Sequence, residues 1–279
     1  TLDRSSAASD VYKRQGADSL NGGNGDDSIV GAGGNDTLIG GVGADTMTGG
    51  TGADAFTLAG NDWVTDFNGV QSDTVILGGL SGTDVVTFSS VTGVLVLTAA
   101  PLNAKFAATA SAAGASITGS GSHDTLTGGV GNDTLSGAGG DDILTGGAGV
   151  DILTGGAGAD RFNYATGATG STLATADTIA DFATGSDVIS TSLGFFVPAL
   201  DVSVVDGSGL ANFAAFVAGA DAFFNAAFQR VYVAWDANGS GNAWVAIDHA
   251  GDGSFNAGDS LIVLTGINTG AEIVFSDFI

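Results

Sequence analysis

The sequence predicts an all-β chain in which two blocks of stacked short strands are joined and followed by further strands, ending in a β-rich cap that carries one helix. Three observations predict it. A nine-residue period runs through two separate stretches of the chain. Every copy pairs a glycine-rich turn with a single large apolar residue, which suits a very short strand better than a helix. Elsewhere β-branched runs alternate with turn residues, and only one stretch has helical spacing.

From Gly22 the chain divides into GGNGDDSIV, GAGGNDTLI, GGVGADTMT and GGTGADAFT, preceded by a truncated GADSLN from Gly16. From Gly119 it divides into GSGSHDTLT, GGVGNDTLS, GAGGDDILT, GGAGVDILT and GGAGADRFN. The sixth place is always aspartate: Asp18, Asp27, Asp36, Asp45 and Asp54, then Asp124, Asp133, Asp142, Asp151 and Asp160. The eighth place is always large and apolar: Leu20, Ile29, Leu38, Met47 and Phe56, then Leu126, Leu135, Leu144, Leu153 and Phe162. One copy buries almost nothing, so several must stack to share a core.

If two nonapeptides make one coil, copies eighteen residues apart lie about 4.7–4.9 Å from one another. Matching aspartates then meet as Asp18 with Asp36, Asp27 with Asp45, Asp36 with Asp54, Asp124 with Asp142, Asp133 with Asp151, and Asp142 with Asp160. Calcium–oxygen distances of about 2.3–2.6 Å let one ion sit between two such carboxylates, with turn carbonyls completing its shell. Without an ion, like charges face each other and oppose the stack. Hard oxygen donors favour calcium, and no cysteine or nearby histidine offers a zinc site. Asp26 and Asp141, at the fifth place, read as solvated charges.

Composition agrees. The formal net charge is −24, with 30 acidic residues against 6 basic, which excludes ordinary binding to a phosphate backbone and favours a cation. Hydrophobic residues make up 44%, too many for a disordered acidic tail. Gly numbers 48 but Pro only 2, which excludes collagen. No run reaches the roughly 20 apolar residues of a membrane span.

The repeat resembles the RTX (hemolysin-type calcium-binding) family, whose pattern GGxGxD followed by any, apolar and any residue is met in full by GGVGADTMT and GGVGNDTLS. The resemblance implies two parallel β-rolls, several bound Ca²⁺ ions, export by a type I secretion machinery, and folding on calcium outside the cell. GAGGNDTLI, GAGGDDILT and GSGSHDTLT depart at a glycine, which implies weaker sites there.

On this reading residues 16–57 form the first roll, 58–118 capping and connecting strands, 119–163 the second roll, and 164–279 the C-terminal cap and secretion region. Residues 1–15 are set aside from fold reasoning, because SSAASDVYKRQ (Ser5 to Gln15) resembles an in-frame translation of a sequencing adapter. Both blocks close alike, on Asp62-Trp63-Val64-Thr65-Asp66-Phe67 and on Asp177-Thr178-Ile179-Ala180-Asp181-Phe182. Capping of the roll end and completion of a terminal calcium site are both open for Asp62, Asp66, Asp177 and Asp181. Leu210 to Phe228 is the helix, with Leu210, Phe213, Val217, Phe224 and Phe228 on one face. Asp248, Asp252 and Asp259 fall at places one, five and twelve of an EF-hand-like loop, and a further calcium site is expected there.

No catalytic constellation is present. His123 and His249 are isolated, and no H-E-x-x-H or G-x-S-x-G occurs, so the chain is expected to be non-enzymatic. The tail resembles C-terminal regions of bacterial surface-layer proteins, which implies a structural protein of the cell surface, self-assembling or attached there. The alternative is an export and folding module for an upstream metalloprotease, lipase or cytolysin. An adhesin is a third reading.

Overall fold

The computed structural model describes residues 2–5, 10–12, 15–77, 80, 84–97, 105–164, 172, 174–183, 186–191, 202–205, 220, 231–235, 242–248, 254–256 and 259–265. The chain splits into two compact units, one of residues 1–127 with 137–140, the other of residues 128–136 with 141–279. The division falls inside the second repeat block.

In the first unit the strands sort by turns into two sheets. One stacks β1 (Leu2–Ser5), β3 (Ser19–Asn24), β5 (Thr37–Val42), β7 (Ala55–Leu58) and β9 (Thr74–Leu77). The other runs through β2 (Asp10–Tyr12), β4 (Ser28–Gly33), β6 (Thr46–Thr51), β8 (Trp63–Val64), β10 (Val85–Val96), β11 (Lys105–Thr118) and β12 (Thr125–Gly129). Pairing is parallel, and within the repeats the register steps by eighteen residues: Leu20 pairs with Leu38 and Ile29 with Met47. Two nonapeptides therefore make one coil of a parallel β-roll. Residues 2–5 and 10–12, set aside above, carry strands here, with Leu2 opposite Leu20 and Val11 opposite Ile29. An open sheet edge offers main-chain groups that any extended segment can pair.

The second unit repeats the arrangement. Strands β14 (Ile143–Gly147), β16 (Arg161–Tyr164) and β18 (Val188–Thr191) stack in parallel. Strands β13 (Thr134–Gly139), β15 (Ile152–Ala157) and β17 (Asp177–Ile179) form the facing row. That row continues in parallel to β22 (Ser260–Thr265), then through the antiparallel hairpins of β21 (Asn242–Ile247) and β20 (Val231–Trp235) to β19 (Val202–Val205), which pairs in parallel with β20.

The eighth-place ladder is the core. Leu20, Ile29, Leu38, Met47, Phe56, Leu126, Leu135, Leu144, Leu153 and Phe162 are all fully buried. Strand alternation turns the sixth, eighth and next first place inward together, as in Asp27, Ile29 and Gly31. The aspartates are thus buried by the same geometry that buries the core. At the C-terminal end Tyr232, Trp244, Phe255 and Leu261 form a separate cluster with Ala220. Of the expected helix over 210–228 only Ala220 is described, and it is helical and buried; the rest lies outside the described residues.

Candidate metal centre

The sixth-place aspartates come together in stacked pairs, through a main-chain to carboxylate hydrogen bond. The N–H of Asp18, Asp27 and Asp36 donates to Oδ1 of Asp36, Asp45 and Asp54, each at 2.8 Å. In the second unit Asp133 donates to Asp151 at 2.8 Å and Asp142 to Asp160 at 2.9 Å. Asp124 accepts the N–H of Phe106 at 2.8 Å and that of Ser120 at 2.6 Å. Asp124 belongs to the first unit and Asp142 to the second.

The carboxylates therefore do not simply face one another. Each gives one oxygen to the coil before it. The other oxygen, Oδ2, of Asp36, Asp45, Asp54, Asp151 and Asp160 is buried with no hydrogen-bond partner. A buried anionic oxygen left without a donor costs free energy comparable to a lost hydrogen bond or more. Its recurrence at the same place of successive copies is an arrangement that a bound cation would satisfy. The residues present fit calcium: the donors are hard, anionic oxygens, and calcium also takes backbone carbonyls and water to fill its shell; among the described residues no three His, Cys, Asp or Glu side chains converge.

Glycine shapes the cradle at the first place of each full copy and at the second place of most. The first-place glycine faces the carboxylate of its own turn, and a Cβ at Gly22 would stand 2.5 Å from Oδ2 of Asp27. The second-place glycine has a left-handed backbone, with φ +113° at Gly41, and a Cβ there would strike the carbonyl oxygen of Gly23 one coil below. Ala32 and Ala138 occupy that place in the two GAGG copies and are held at φ 78° and 77°, a strained conformation for alanine.

Burial, reinforced by neighbouring carboxylates, pushes Asp45, Asp54, Asp151 and Asp160 up from their ordinary range. Asp151 rises to about 6, with Asp133 adding to the effect of burial. Asp45 is raised by burial, then by the charges of Asp27 and Asp26. Asp54 and Asp160 are raised in the same way.

The closing stretches differ in kind. Asp62 accepts from Asp45 N–H at 3.0 Å through Oδ1 and from Ala59 N–H at 2.8 Å through Oδ2. Asp66 takes the N–H groups of Gly49 and Gly50 at 2.9 and 2.7 Å, one on each oxygen. Asp181 repeats this with Gly155 and Gly156, both at 2.8 Å. Asp73 holds Asp54 and Asn68, and Asp187 holds Asp160 and Ala183. These five carboxylates use both oxygens to terminate the main chain. Asp177 accepts the N–H of Asp151 at 2.9 Å. Phe67 then packs edge-on against Phe88, with ring centres 6.0 Å apart, and Phe182 lies 6.1 Å from Phe162.

The fifth-place side chains are exposed, as expected of solvated charges, and they also accept a hydrogen bond. Asp26, Asn35, Asn132 and Asp141 are exposed, yet each Oδ1 accepts an N–H from the coil above: from Ala44, Ala53, Val150 and Ala159, at 2.9 to 3.0 Å. These bonds run upward in the stack while the sixth-place bonds run downward.

In the EF-hand-like loop Asp248 and Asp259 are buried, and Oδ2 of Asp259 accepts the N–H of Asn256 at 2.7 Å. Asp252 lies outside the described residues.

The family model of the RTX calcium-binding nonapeptide repeat, in four copies, matches residues 14–38, 21–56, 30–64, 118–153 and 136–168. Both blocks are RTX calcium-binding repeats. The matches run together over each block and take in the turns whose carboxylates carry the buried oxygens. Among curated proteins none matches the chain. Among solved structures, the RTX repeats are similar to the solution structure of the AlgE6R3 subunit from the Azotobacter vinelandii mannuronan C5-epimerase, at 25% identity over 60% of this chain and 78% of that one. The TM-score is 0.37, and the roll architecture rests on the strand register given above.

Proposed function

We propose that the chain is a calcium-driven folding module of a secreted protein, with Asp27, Asp36, Asp45, Asp54, Asp133, Asp142, Asp151 and Asp160 as the metal ligands and Asp18 completing the open end of the first ladder; Asp124, whose Oδ1 and Oδ2 already accept the N–H groups of Phe106 and Ser120, closes the start of the second. The observation that carries this is the buried Oδ2 without a donor, repeated at Asp36, Asp45, Asp54, Asp151 and Asp160. Calcium supplies the positive charge and the oxygen coordination that such a ladder lacks. The chain's own residues do the rest. The sixth-place carboxylate holds its partner coil by Oδ1 and presents Oδ2 inward; first-place glycines leave room for it; turn carbonyls lie between successive coils.

A net charge of −24 opposes a compact state until it is neutralised. Extracellular calcium modules work at about 10⁻⁴–10⁻³ M, so the same chain would be loose in a low-calcium cytosol and locked outside. That behaviour suits passage through a type I secretion machinery and a structural role at the cell surface. No catalytic role is proposed, because no H-E-x-x-H or G-x-S-x-G pattern occurs in the sequence. Surface attachment is tested on cells: a tagged chain should be found outside the producing cell in millimolar calcium. Retention of the tagged chain inside, with an intact type I exporter, overturns the secreted reading.

A further inference from the structure

The fifth place differs between turns in charge but not in hydrogen bonding. Asp26 and Asn35 make the same contact, to Ala44 and Ala53 N–H at 2.9 and 3.0 Å. Asp141 and Asn132 make it to Ala159 and Val150, at 2.9 and 3.0 Å. In each case the donor is the residue immediately before a sixth-place aspartate, namely Asp45, Asp54, Asp160 or Asp151. A fifth-place carboxylate therefore sets a full negative charge beside one turn, and a fifth-place amide sets none beside the next. Asp26 also approaches the turn above from the side, since a Cβ on Gly43 would stand 3.0 Å from its Oδ1.

Calcium affinity follows the charge around the ion as well as the ligand count. At separations of this kind near a protein surface one added charge is worth a moderate change in binding constant, and salt screens it. We propose that Asp26 and Asp141 are affinity-setting residues of the turns containing Asp45 and Asp160, and that Asn35 and Asn132 leave the turns containing Asp54 and Asp151 without that fifth-place charge. The inference rests on the calcium reading above and adds to it a residue that tunes affinity without being a ligand.

The Asp/Asn difference makes the test clean, because both residues keep the Oδ1 acceptor. Full-length D26N/D141N and N35D/N132D proteins are stripped of calcium and titrated with it by calorimetry, beside the wild type. D26N/D141N should lose affinity roughly threefold in two of its sites, and N35D/N132D should gain a similar factor in two others. Both differences should shrink at about 1 M salt, where the screening length is about 3 Å. Isotherms identical to wild type, or a weakening in N35D/N132D, would overturn the inference while leaving calcium binding intact. A wild type that takes up no calcium brings down the parent reading instead, and all three proteins are then silent alike.

Discussion

The main-chain N–H of Asp27 donates to Oδ1 of Asp45 at 2.8 Å, and Oδ2 of Asp45 is buried with no hydrogen-bond partner. The first oxygen sets the coil spacing; the second is left for a cation. Asp45→Asn keeps the acceptor and removes the charge. At calcium tenfold above the dissociation constant, it should forfeit about 1.4 kcal/mol of calcium-dependent stability. Calorimetry should count one ion fewer. An unchanged stoichiometry contradicts the assignment of Asp45.

Asp66 makes the opposite case. Both of its oxygens hold main-chain N–H groups, those of Gly49 and Gly50. Asp66→Ala should lower stability by about 2–3 kcal/mol in denaturant unfolding, and the number of calcium ions bound should stay the same. Asp181→Ala should do likewise in the second unit. A drop in stoichiometry would show that these residues are ligands and not caps.

Turn glycines give a third test. Gly41→Ala meets both a left-handed backbone and the carbonyl of Gly23, and should cost at least about 2 kcal/mol. Ala32→Gly removes strain at φ 78° and loses some of the gain to the freer unfolded chain, for a net stabilisation of up to about 1 kcal/mol. Thermal unfolding in saturating calcium separates the two signs.

Protons should stand in for calcium in part. Burial raises Asp62 and Asp151 from an ordinary 3.8 to about 6. Between those values the folded chain binds more protons than the unfolded one, so its stability falls as pH rises. The contribution is fully present below about 3.8 and is lost as pH passes about 6. In calcium-stripped buffer the β-sheet circular dichroism signal at pH 5 should exceed that at pH 7.5. The reverse order would mean that these acids are stabilised as anions by the protein alone.

Most of the fold was legible because the repeat is strict. The nine-residue spacing of Asp27, Asp36, Asp45 and Asp54 fixed the coil, and the eighth-place ladder from Leu20 to Phe56 fixed its core. What the sequence could not show was how a carboxylate divides its two oxygens. Asp45 and Asp66 are the same residue in similarly acidic surroundings, yet one keeps an oxygen inward and the other spends both on main-chain donors. That difference depends on where the chain ends its coil, a three-dimensional fact. The fifth-place bonds were missed for a related reason: an exposed Asp26 looks solvated until the N–H of Ala44 is placed above it. Leu58 and Tyr164, large residues where earlier coils have first-place glycine, mark the roll ends and were equally silent in one dimension; both are buried.

The central claim, that metal and fold arrive together, is tested most directly by circular dichroism and thermal unfolding of the purified chain in chelator and in millimolar calcium at neutral pH. The account predicts a weakly structured chain without calcium and a cooperative β-sheet transition with it, in proportion to the sixth-place aspartates left intact. The same spectrum and the same Tm in both buffers would contradict it.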